Sequence, residues 1–79
     1  MSPLTKAKKD TILVFSAFGN IVESEKQKLT DLGLIPGESI QLINEAKNGY
    51  ITFILKGSRI ALDCHIAGEI IVNEVINEN

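Results

Sequence analysis

At 79 residues the chain has room for one domain, near the lower limit for folding without disulfides or metals. Hydrophobic residues make up 44% and charged residues 23%, a globular balance. No stretch approaches the roughly 18 apolar residues of a membrane span, and one cysteine with one histidine excludes an internal disulfide and a Cys₄ or Cys₂His₂ zinc site. The net charge of −2 is uneven: Lys6, Lys8 and Lys9 precede the first acid, while residues 10–79 carry five basic and ten acidic side chains, a net −5. An acidic body argues against general nucleic-acid binding, which depends on neutralising phosphates.

Residues 1–9 read as a disordered basic tail, 10–75 as the folded domain and 76–79 as a frayed C-terminus. From Thr11 to Val22 the chain is apolar and β-branched, interrupted by Gly19-Asn20, which predicts one bent strand or two short ones. Ser24-Glu25-Lys26-Gln27 has the form of a capping box and predicts a helix over about Glu25–Leu32 with Leu29 and Leu32 on one face. Gly33 stands where a left-handed residue ends a helix, and Leu34 where the accompanying apolar contact is made. Ile35-Pro36-Gly37-Glu38 predicts a type II turn, with proline presetting φ and glycine supplying φ > 0.

A strand over about Ser39–Glu45 follows, with Ile40 and Leu42 on one face. Asn48-Gly49 predicts a type I′ hairpin turn into a strand over Tyr50–Leu55 with Ile51, Phe53 and Leu55 inward. Gly57-Ser58 suits a type II′ turn into Arg59–Leu62, with Ile60 and Leu62 inward. Asp63 caps a helical turn through Ala67, and a last strand runs over Glu69–Val75. Sequential antiparallel strands with tight turns must curl at this size. The expected architecture is a mostly β, five-stranded, SH3-like barrel with one short helix and one helical turn.

Leu29-Thr30-Asp31-Leu32-Gly33-Leu34-Ile35-Pro36-Gly37 resembles the signature of the FeoA family, a helix ending in "LxDLGLxPG" before a strand. The resemblance continues through Gly57 and Arg59–Leu62, which match "G.RLAL", to Ala67, Ile70 and Val72, which match "A..I.V". It implies an SH3-like barrel and a small cytosolic accessory of bacterial ferrous-iron uptake, acting with FeoB, the membrane Fe²⁺ transporter with a cytosolic GTP-binding domain. Related domains end metal-dependent repressors of the diphtheria-toxin-repressor type. Asp63 and Ile66 stand where the family usually carries a basic residue and a glutamate.

Cys64-His65 are adjacent soft ligands, but neighbours diverge by about 100° on a helix and to opposite faces on a strand, and a tight site needs two further ligands. They are the weaker metal candidates. Adjacency does not supply the geometry of a Cys–His nucleophile either. There is no phosphate-binding glycine motif. Arg59, the only arginine, is expected outward on its strand and paired with an acid rather than serving as an arginine finger.

The loop Leu32-Gly33-Leu34-Ile35-Pro36-Gly37 is the candidate partner-binding segment, because apolar loop residues are either docked or available to a partner. The reading is a non-enzymatic cytoplasmic module, needing no cofactor and no membrane insertion, that acts by contact with a FeoB-like transporter. A homodimer through exposed strand edges is also open. The alternatives are a nucleic-acid-associated or transcription-regulatory barrel, with the Lys6–Lys9 arm on phosphate, and a metal sensor using Cys64 and His65. Low aromatic content and the acidic body weigh against the first.

Overall fold

The computed structural model describes residues 1–75, with the backbone alone at 46 and 47; the expected fraying of 76–79 lies outside the described residues. The elements are β1 (Ser2–Pro3), a 3₁₀ turn (Leu4–Lys6), β2 (Ile12–Phe18), α1 (Glu23–Asp31), β3 (Ser39–Lys47), β4 (Tyr50–Leu55), β5 (Ser58–Asp63), α2 (Cys64–Ala67) and β6 (Ile70–Glu74). All pair antiparallel in one six-stranded sheet of order β1-β6-β2-β3-β4-β5. The mostly β, SH3-like expectation holds, with two corrections. There are six strands rather than five, and the sheet ends in two edges, β1 and β5, rather than closing on itself. At the gap α2 packs on β4 and β5 and also touches the 3₁₀ turn, so helical pieces occupy the place where a barrel's last strand pair would be.

The sixth strand comes from the segment expected to be a tail. Ser2 pairs with Val72 and Pro3 with Ile71, and Leu4 is wholly buried in the core. A lone leucine ahead of three lysines carries no periodic signal, yet burying it stabilises by about 1.5–3 kcal/mol, which together with the pairing of β1 on β6 offsets part of the segment's ordering cost. The lysines that follow sit on the surface, and the backbone N–H of Lys9 donates to Glu45 Oε2 at 2.9 Å.

The core follows the period of two. Leu13 and Phe15 of β2, Ile40 and Leu42 of β3, Ile51, Phe53 and Leu55 of β4, and Ile70 and Val72 of β6 all point inward. Leu29, Leu34 and Ala67 complete it, with Ile60 and Leu62 half-buried against it. β2 is one strand, bent by a bulge between Phe15 and Ala17. Asn48 (φ 55°) and Gly49 (φ 81°) form the turn predicted between β3 and β4. The β4–β5 turn differs from expectation: Leu55 pairs with Ser58, and the central residues are Lys56 (φ 50°) and Gly57 (φ 80°), as a type I′ turn requires. Asp63 caps α2, its Oδ1 accepting the His65 backbone N–H at 2.7 Å.

Helix α1 begins earlier than the capping box implies. Its N-cap is Val22, with no side-chain cap, and the Val22 carbonyl accepts from Glu25 and Lys26 at 3.0 Å each. Ser24 therefore lies inside the first turn, and the Gln27 amide reaches forward to Asp31 at 2.8 Å instead of back. Glu23 and Glu25 in that turn suit the positive end of the helix dipole.

Candidate functional site

The C-terminal end of α1 builds the surface of interest. Gly33 (φ 109°) terminates the helix; its N–H donates to the Thr30 carbonyl and the N–H of Leu34 to the Leu29 carbonyl, both at 3.0 Å. These are the two bonds of a Schellman motif, and the apolar contact that accompanies it is made by Leu29 and Leu34, both buried. The type II turn follows as predicted: Gly37 has φ 94°, and the Glu38 N–H donates to the Ile35 carbonyl at 3.0 Å. The Gly37 N–H then donates to the Phe15 carbonyl and the Phe15 N–H to the Glu38 carbonyl, both at 2.9 Å, which ties the loop to β2.

Lys56, from the β4–β5 turn, crosses this loop. Its stem lies over Gly33, where a Cβ would stand 2.6 Å from Cε and 2.7 Å from Cδ, and its Nζ meets Glu38 Oε1 at 3.0 Å. Gly33 is thus required twice, for its φ and for the lysine above it. The pair is half in solvent and holds the loop more by packing of the stem than by charge.

The six predicted partner-binding residues divide. Leu34 is wholly buried, so its side chain belongs to the core and only closes the floor of the neighbouring groove. Gly33 lies beneath Lys56 and Gly37 supplies backbone shape. Leu32 and Ile35, 53% and 46% exposed, present apolar side chains outward, and Pro36 is exposed beside them. Beyond Phe15 the β2–β3 pairing stops, because the first β3 partner is Ser39 opposite Val14. A groove of about 320 Å³ opens there between the end of β2 and α1. Its walls are Phe15, Ser16, Ala17 and Phe18 on one side, Lys26 and Thr30 on the other, with Leu34, Ile35 and Pro36 at one end. The Phe15 and Phe18 rings lie 4.8 Å apart and tilted by 57°, and Lys26 is the one charged side chain in the lining. The β2 wall has no local sequence signature, because it is uncovered only where the turn at Ile35–Glu38 ends the β2–β3 pairing, while β2 continues along β6. The apolar Ala17-Phe18 pair beside Gly19 was the available hint.

The other candidates are not brought together. Cys64 is half-buried and His65 exposed, and among the described residues no three His, Cys, Asp or Glu side chains gather into a set able to hold a metal ion. Arg59 points outward as expected, but the expected acidic partner is absent: among the described residues it forms no ion pair. No helix among the described residues is long and apolar enough to cross a membrane.

Several solved structures share this fold. A crystal structure of an iron uptake regulatory protein, FeoA, is 26% identical and superposes with a TM-score of 0.79 over 94% of this chain and 96% of that one. A zinc complex of FeoA from Stenotrophomonas maltophilia, described as a prokaryotic SH3 domain protein, is 18% identical, with a TM-score of 0.77 over 92% and 91%. A manganese-dependent transcriptional repressor is 12% identical with a TM-score of 0.82, covering 92% of this chain but 36% of the repressor; that likeness is one of fold. No curated protein matches the chain significantly. The family model described as the FeoA domain matches residues 3–74, from the end of β1 through β6. The chain therefore belongs to the FeoA family.

Proposed function

We propose that this protein is a non-enzymatic accessory of bacterial ferrous-iron uptake that works in the cytoplasm by contact with the cytosolic part of a FeoB-type transporter. The observation that carries this reading is the family match over residues 3–74 joined to a surface suited to protein contact. That surface is the apolar lip of Ile35 and Pro36 on the β2–α1 groove, with Leu32 exposed at the helix end that precedes it. Leu32 and Ile35 stand exposed three positions apart on a loop tied to the sheet by backbone hydrogen bonds. Such side chains are what an interface centre is made of, with Lys26 as its charged rim.

The test is binding of the purified chain to the soluble GTP-binding domain of a FeoB-type transporter, followed by calorimetry. Ile35→Asp and Leu32→Asp change exposed side chains and are expected to leave the circular dichroism spectrum and Tm unaltered. Each is expected to weaken binding by about tenfold or more and to lower Fe²⁺ uptake in cells that depend on the chain. Undiminished binding by both variants removes this surface from the interface. No binding by the native chain removes the partner.

A further inference from the structure

Strand β5 is one free edge of the sheet, and its pairing with β4 is unbroken from Tyr50–Asp63 to Leu55–Ser58. In a two-residue hairpin the residues flanking the turn exchange both backbone hydrogen bonds, and the pattern alternates from there. The donation from the Cys64 N–H to the Gly49 carbonyl, at 2.9 Å, keeps the same phase at the far end. Ser58, Ile60 and Leu62 therefore turn their backbone groups to β4, while Arg59, Ala61 and Asp63 turn theirs outward. Such an edge is a template for another strand unless lysine, proline or a bulge blunts it or a helix covers it, and α2 stands only at the Asp63 end of this one. β5 has no lysine, proline or bulge.

The outward residues are self-complementary. If a second β5 runs antiparallel about a two-fold axis at Ala61, Ala61 faces its own copy and Arg59 faces Asp63 at both ends. Arg59 and Ala61 then lie at hydrogen-bonded positions, and the Asp63 carbonyl, which as the α2 N-cap already accepts one bond, contributes its second lone pair. Shifting the register by one step in either direction leaves both charges unmatched. Arg59 is exposed, lies across from the apolar Ile54 on β4, and has no ion pair among the described residues. Asp63 gives one carboxylate oxygen to the His65 N–H and leaves the other available. Ala61, exposed and small, puts no bulk on the axis.

We propose that β5 is a homodimerisation edge: a second copy of this chain adds antiparallel through Arg59–Asp63, making an isologous sheet of twelve strands. The contact is small, so the dimer exchanges with monomer and depends on concentration. It is independent of any transporter, and the experiment uses the chain alone. Sedimentation velocity over a dilution series is expected to show a reversible monomer–dimer equilibrium. Arg59→Asp sets like charges opposite each other at both ends and should raise the dissociation constant by about tenfold or more. Adding Asp63→Arg to it restores the pairing with reversed sign. In a Cys64→Ser background, Ala61→Cys should cross-link on mild oxidation, since a hydrogen-bonded antiparallel pair sets Cα atoms about 5.5 Å apart. Ser58→Cys in the same background should not. A native chain that stays monomeric throughout, an Arg59→Asp chain that dimerises as the native one does, or an Ala61→Cys chain that fails to cross-link overturns the proposal.

Discussion

The two ends of helix α1 are built to different standards. The N-terminal end has Val22 as its cap, 68% exposed and offering no side-chain acceptor to the free N–H groups. The C-terminal end has both Schellman bonds, the buried Leu29–Leu34 contact, a type II turn tied to β2, and the Lys56 stem laid over Gly33. A nine-residue helix is marginal alone, so it needs firm attachment at one end only. That end is also the one that positions Leu32, Ile35 and the groove. Rigidity is placed where a surface must hold its shape, and the other end is left loosely specified.

Substitutions at the two ends should therefore differ in size and sign. The largest effect belongs to Leu34→Ala, which empties a core position and removes the contact that closes the helix; a loss of about 2–5 kcal/mol in a urea melt is expected. Gly33→Ala forces a Cβ into the Lys56 stem and a side chain into positive φ, for a loss of about 1–3 kcal/mol. If it costs no more than an ordinary surface change, the C-terminal end is less rigid than described. At the other end the sign reverses: Val22→Asp places a capping carboxylate on extended backbone (φ −62°, ψ 137°) and should stabilise by about 1 kcal/mol. The smallest effect is that of Ser24→Ala, within about 0.5 kcal/mol. A loss of a full capping contribution there would restore the capping box and contradict the helix start at Glu23.

The two ends also differ in how far they are legible in the sequence. Helix ends that depend on backbone conformation are legible, because Gly33, Gly37 and Gly49 are nearly the only residues that tolerate the required φ. The same logic found the type I′ turn at Asn48-Gly49. At the β4–β5 turn it settled one residue late, since Lys56 adopts positive φ and nothing about a lysine announces it. The N-terminus of α1 was misplaced because Ser24 and Gln27 form a credible local pattern, while the actual start rests on how the chain leaves β2. Strand β1 and the burial of Leu4 were invisible for a related reason: both depend on β6, some seventy residues away along the chain. The candidate site shows the same division. The loop was recognised from its own residues, but which side chain faces inward, Leu34 or Ile35, and where the facing wall lies, are properties of the assembled sheet.

The pairing of β1 with β6 has a topological consequence. With Ser2 beside Val72 and the strands antiparallel, Met1 lies next to the strand that carries Asn73 and Glu74, so the first and last described strands are neighbours. A short linker from the end of β6 back to β1 should disturb little, and a new start could be cut at the exposed Asn48-Gly49 turn. In such a permuted chain β3 and β4 would become the terminal strands. Their pairing, formed in the native order across a two-residue turn, would then have to be made between the two ends of the polypeptide. Whether that chain still folds, and how much more slowly, would separate what the sheet owes to its contacts from what it owes to the order in which they are written.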